Sequence, residues 1–142
     1  MSVAAILQSK GNEVIQVDAS ASILSVVELL AERRIGCVPV TEQGQVVGMF
    51  SERDLIYAIA EKGADVLDAP VSSFMTSPAM TIAPEVDSMG ALSLMTQRRV
   101  RHLPVVKEDS VIGLVSIGDL VKYRMDRIEA EAAAMRDYIQ SA

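Results

Sequence analysis

Two short segments place a hydroxyl and a carboxylate at one spacing, Ser51-x-x-Asp54 and Ser116-x-x-Asp119. An ionised carboxylate accepts several hydrogen bonds and can hold a pair of vicinal hydroxyls. A serine followed three residues later by an acid also opens many ordinary helices. The serine caps the unpaired N–H groups and the acid complements the helix dipole. The same N–H groups attract a phosphate. Cap and ligand contact are compatible roles, and both stay open at each segment.

Further polar groups lie near these segments in sequence. Arg53 sits inside the first, where the second carries Gly118. Arg33, Arg34, Arg98, Arg99 and Arg101 precede two apolar runs. Arg33 and Arg98 read as solvated helix ends, where cations complement the C-terminal dipole. Arg99 and Arg101 are the better candidates to meet an anion. His102 is the sole histidine, placed to donate to a phosphate or to pack on a base. Cys37 is the sole cysteine and opens an apolar run, so a small core residue is expected there rather than a nucleophile. No His or Cys partners in pattern accompany His102, so a metal site is not expected. A P-loop and a G-x-G-x-x-G fingerprint are both missing from the sequence. Catalysis would need a nucleophile–base pair or a metal cluster, and the reading is that this is not an enzyme.

The elements that must position these residues recur. Arg33-Arg34-Ile35-Gly36-Cys37-Val38-Pro39-Val40 matches Arg98-Arg99-Val100-Arg101-His102-Leu103-Pro104-Val105. Gly48-Met49-Phe50-Ser51-Glu52-Arg53-Asp54-Leu55 matches Gly113-Leu114-Val115-Ser116-Ile117-Gly118-Asp119-Leu120. Pro39 and Pro104, Gly48 and Gly113, and Asp54 and Asp119 are each 65 residues apart, with no gap between. Such self-similarity marks a structural repeat. Each copy reads as a strand (Val14 to Val17; Met80 to Ile82), then an amphipathic helix with Ser22 or Asp87 as N-cap. Two β-rich runs follow, 37–41 with 45–50 and 102–106 with 111–115, turning at Gln43-Gly44 and Glu108-Asp109. A helix from Ser51 to about Lys62, or from Ser116 onward, closes the unit as β-α-β-β-α. A unit of this size buries little alone, so two copies are expected to pack sheet against sheet around a shared core, with clefts between them.

The predicted organisation is an α/β (α+β) chain. Residues 1–65 form the first repeat with an N-terminal helix at 2–9. Residues 66–79 form a connector with a short helix and an extended piece. Residues 80–142 form the second repeat with a long helical tail. Half of the residues are hydrophobic and only 4% aromatic, so Val, Ile, Leu, Ala and eight Met must fill the core. A net charge of −6 argues against general nucleic-acid binding. No run approaches a membrane span, and no secretory signal is read at the start. With one cysteine, a cytoplasmic setting is the expectation.

The repeated G-h-h-S-x-x-D with its preceding Pro and paired strands resembles the CBS (cystathionine-β-synthase) domain, in tandem over roughly residues 5 to 125. The phrase RVRHLPVV followed by VIGLVSIGDLV resembles small stand-alone bacterial CBS-pair proteins, and FMTSPAMTIAP resembles the family's junction between its two copies. It implies a pseudo-two-fold pair, the Bateman module, often dimerised again. It also implies a regulatory role rather than a catalytic one, exerted on an unidentified partner protein. Members commonly bind AMP, ADP, ATP, NAD or S-adenosylmethionine. Family roles place Ser51 and Ser116 on phosphate or ribose, and Asp54 and Asp119 on the ribose hydroxyls. They also suggest that the Gly36-Cys37 backbone lines an adenine pocket. Arg53, Arg99, Arg101 and His102 complete the expected ligand set. No cofactor is required in this reading, and a homodimer is expected. A nucleotide-free interaction scaffold is the alternative.

Overall fold

A computed structural model describes residues 1–11 and 13–141. The chain runs α1 (Val3–Lys10), β1 (Val17–Asp18), α2 (Ile23–Arg33), β2 (Cys37–Glu42), β3 (Gln45–Ser51) and α3 (Glu52–Lys62). Two 3-10 turns follow, Ala64–Asp68 and Val71–Ser73. The second half is α4 (Ser88–Arg98), β4 (His102–Lys107), β5 (Ser110–Ser116) and α5 (Ile117–Ser141). The mixed α/β architecture and the doubled unit are those expected.

Local chemistry sets the boundaries. Ser22 accepts the Ser25 N–H at the start of α2, and Asp87 accepts the Met89 N–H at the start of α4. Both helices end on an arginine in the left-handed region, Arg34 and Arg99, whose N–H groups close the last turn. The hairpins β2–β3 and β4–β5 turn at Gln43-Gly44 and Glu108-Asp109. All four residues have positive φ, as the primed hairpin turns require. Each hairpin carries a register shift at the same place, between Val40 and Thr41 and between Val105 and Val106.

The leading strands are shorter than the expected 14–17 and 80–82. β1 pairs parallel to β2 only through Val17–Val40 and Asp18–Thr41. Its counterpart is a single bridge, Ile82 to Val105. Asp18 accepts the Ser20 N–H and turns the chain away. Near Ile82, Pro84 has no N–H with which to extend a ladder.

The core is divided rather than shared. One cluster holds Ile23, Val26, Leu30, Val38, Val40, Phe50, Ala58, Val66 and Val71. The other holds Ile82, Ala91, Met95, Leu103, Val105, Val115 and Leu120, together with Val3, Ile6 and Leu7 of α1. Thus α1, grouped by chain order with the first repeat, packs into the second. The connector packs on the first. Val3 and Ala4 donate to the carbonyls of Val86 and Pro84 at 2.8 and 2.9 Å. Val71 and Ser72 donate to those of Ala21 and Ala19 at 2.7 and 3.2 Å. Ser88 donates to Met1 as Ile23 donates to Ala69. Leu7 covers Gly113, and Met75 covers Gly48. Strands β3 and β5 approach each other across the halves.

Of α5, only Leu120 is fully buried, with Tyr123 packed against the second core. Met125, Ile128, Met135 and Ile139 of its long tail are exposed. No described helix is long and apolar enough to cross a membrane.

Candidate functional site

Both hydroxyl–carboxylate segments stand where a strand becomes a helix, β3 into α3 and β5 into α5. At the first, Ser51 Oγ accepts the Asp54 N–H at 3.3 Å. Asp54 Oδ2 accepts the Ser51 N–H at 2.9 Å and the Ser51 hydroxyl at 3.1 Å. This reciprocal capping box fixes both side chains. At the second, Ser116 Oγ accepts the Asp119 N–H at 3.0 Å, and Asp119 Oδ2 accepts the Ser116 N–H at 2.9 Å. All four residues are half-buried. The cap reading therefore holds at both sites, and the carboxylates it fixes keep part of their surface open.

Each carboxylate has a further partner that the sequence did not suggest. Thr76 of the connector donates its hydroxyl to Asp54 Oδ1 at 3.0 Å. Lys10 of α1 donates to Asp119 Oδ2 at 2.7 Å and to the Leu114 carbonyl at 2.9 Å. Burial pushes the Asp119 carboxyl up, but Lys10 and the Ser116 N–H outweigh it and hold the group below the usual carboxylate range.

The two residues 65 apart at the strand starts flank these sites. Cys37 pairs with Ser51 across the hairpin, and His102 pairs with Ser116. Cys37 is buried, and burial, aided by the Asp54 charge, pushes its thiol up to about 12. It is a buried residue of the hairpin, and the raised pKa favours the protonated thiol. His102 is half-buried; burial, then the Lys10 charge, lowers its pKa. Asp119 and Glu52 act on it in the opposite sense.

Gly36 accepts the Glu52 N–H at 3.0 Å, and Arg101 accepts that of Ile117 at 2.8 Å. Glu52 folds its carboxylate against the Gly36 Cα, where any side chain would collide with Glu52 Oε1. Gly36 and Glu52 also line a cleft of about 510 Å³ with Leu30, Arg34 and Ile56. Arg53, Arg99 and Arg101 are exposed, and their side chains make no hydrogen bond or ion pair among the described residues. Among the described residues, no cluster of His, Cys, Asp and Glu could hold a metal ion.

Comparison with known proteins agrees with this geometry. Residues 5–61 and 71–126 each match the CBS domain. The chain belongs to the CBS-domain family and carries the domain twice. It is 31% identical to the CBS domain-containing protein YhcV of Bacillus subtilis, over 85% of this chain and 86% of that one. It spans 60% of the length of the mitochondrial CBS-domain protein CBSX3 of Arabidopsis thaliana. Among solved structures, the CBS-domain protein ATU1752 of Agrobacterium tumefaciens is 37% identical with a TM-score of 0.82, covering 87% of this chain and 99% of that one. The protein PAE2072 of Pyrobaculum aerophilum, solved with AMP, is 26% identical with a TM-score of 0.74, covering 84% and 89%.

Proposed function

We propose that this CBS pair is a regulatory sensor that binds an adenosine nucleotide at its motif carboxylates and transmits the bound state to a partner protein. The observation that carries the reading is the fixed, half-open pair Asp54 and Asp119, each held at a helix start. A carboxylate so placed accepts both hydroxyls of a ribose, and the helix start favours a phosphate. The AMP complex of PAE2072 supports a ligand of this class. AMP, ADP, ATP and NAD share the adenosine that these carboxylates would read. Binding shifts the module between arrangements only by the difference in affinity for them. The role is regulatory rather than catalytic, because neither the neutral Cys37 thiol nor His102 has a partner set for bond-making chemistry.

The test is a thermal-shift and calorimetric screen of nucleotide-stripped protein against these ligands. A ligand at 100 times its Kd stabilises by about 2.7 kcal/mol, and Asp54→Asn or Asp119→Asn should abolish the shift at its own cleft. A second reading, a nucleotide-free scaffold, draws on the exposed apolar residues of α3 and α5. Absence of any shift would favour the scaffold.

A further inference from the structure

Asp54 and Asp119 hold equivalent positions but differ in what surrounds them. Both oxygens of Asp54 are engaged, Oδ2 by Ser51 and Oδ1 by the Thr76 hydroxyl. Asp119 receives Ser116 and Lys10 on Oδ2, and its Oδ1 accepts no hydrogen bond among the described residues. A diol reaching Asp54 competes with Thr76. One reaching Asp119 can use Oδ1 and leave Lys10 in place.

The charges differ too. At the first motif the serine is followed by Glu52 and Arg53, of opposite charge, and at the second by the uncharged Ile117 and Gly118. Here Lys10 balances Asp119 directly at 2.7 Å, and Arg101 adds a cation beside His102. An ammonium group has three donors. Lys10 uses one on Leu114 and one on Asp119, both at the strand-to-helix junction that opens α5. Its third donor makes no hydrogen bond among the described residues.

We infer that Lys10 makes the second motif selective for a 5′-phosphorylated adenosine over uncharged adenosine and over the cationic S-adenosylmethionine. The inference rests on the nucleotide reading of the same site and names the ligand class for one of its two motifs. Lys10 reaches Asp119 from α1, whereas at the first motif the further partner of Asp54 is the neutral Thr76. This selectivity therefore belongs to the second motif. Asp119 holds the hydroxyls, and Lys10 opposes the phosphate charge.

The experiment is titration calorimetry of AMP, adenosine and S-adenosylmethionine against the full chain, as wild type, Lys10→Met, Lys10→Arg and Asp54→Asn. Wild type should bind AMP more tightly than the other two. Lys10→Met should weaken AMP roughly 10-fold or more, the worth of one charge-assisted hydrogen bond, with adenosine little changed. Lys10→Arg should restore the preference, which separates lost charge from lost folding. Asp54→Asn should retain it. An AMP-to-adenosine preference unaltered in Lys10→Met, or lost in Asp54→Asn, would overturn the role of Lys10 while leaving nucleotide binding intact. Failure of wild type to bind any of the three would overturn both.

Discussion

Leu7 lies directly over the Cα of Gly113, so that a methyl group built there would sit 2.6 Å from Leu7 Cδ2. Gly48 stands 65 residues earlier and meets Met75 Sδ at 2.6 Å and the Thr76 carbonyl oxygen at 2.8 Å. Leu7 is a side chain that can turn aside. The Thr76 carbonyl is backbone and is held at 2.9 Å by the Met49 N–H. Gly113→Ala and Gly48→Ala should each destabilise by about 1–3 kcal/mol, as overpacked cores do, with Gly48→Ala the more costly. Urea denaturation measures both. An unchanged midpoint for Gly48→Ala would contradict the close approach.

Ile6 is only 3% exposed and belongs to the core of the second repeat. Ile6→Ala should therefore cost about 2–5 kcal/mol. Methyl NMR should show its effect at Leu103, Val115 and Leu120, while Val38 and Val40 of the other core stay in place. Shifts confined to the first repeat would reverse the assignment of α1.

Stability should fall with acid in two separate steps. The pKa of His102 is lowered in the folded chain by burial and by Lys10. The unfolded chain therefore binds the extra proton first, and the His102 contribution is complete above about pH 6.5 and lost as the pH falls through the folded value. His102→Gln should flatten that step. Asp119 is also lowered, and its contribution is present above about pH 4 and lost at still lower pH. Lys10→Met should diminish that second step. Denaturation midpoints across the pH range distinguish the two, and a wild-type curve flat from neutral pH to about pH 5 would contradict the burial of His102.

Ile56 and Val121 are equivalent positions of the two repeats, on α3 and α5, and both are exposed, at 63% and 44%. Tyr57 and Met125, on the same two helices, are exposed as well. If the proposed homodimer buries this surface, Ile56→Asp should give a monomer by sedimentation or light scattering with melting otherwise preserved. An unchanged mass would place the interface elsewhere.

The sequence displays the parts of this fold that repeat at one offset. Ser22, Asp87 and Ser51 act as the caps their types suggest, and the hairpins turn where Gln43-Gly44 and Glu108-Asp109 stand. The exchange of leading segments escapes such reading for two reasons. Val3 and Val71, like Ala4 and Ser72, are 68 residues apart, so a search at 65 passes over them. Their bonds are made by backbone groups, which any residue except proline supplies. Lys10 and Thr76 were missed for a related reason. Each reaches its carboxylate from the exchanged segment, and Lys10 lies 109 residues from Asp119. Arg53 and Arg99 show the converse, since nearness in sequence to the motif did not bring their side chains into its hydrogen bonds.

The exchanged segments also order events during synthesis. The connector emerges just after the repeat it completes and can dock at once. Helix α1 leaves the ribosome first but has no surface to cover until Val86, Gly113 and Val115 have followed it. At ordinary elongation rates that interval is on the order of 5–20 s. During it, the apolar face formed by Val3, Ile6 and Leu7 has no partner in its own chain.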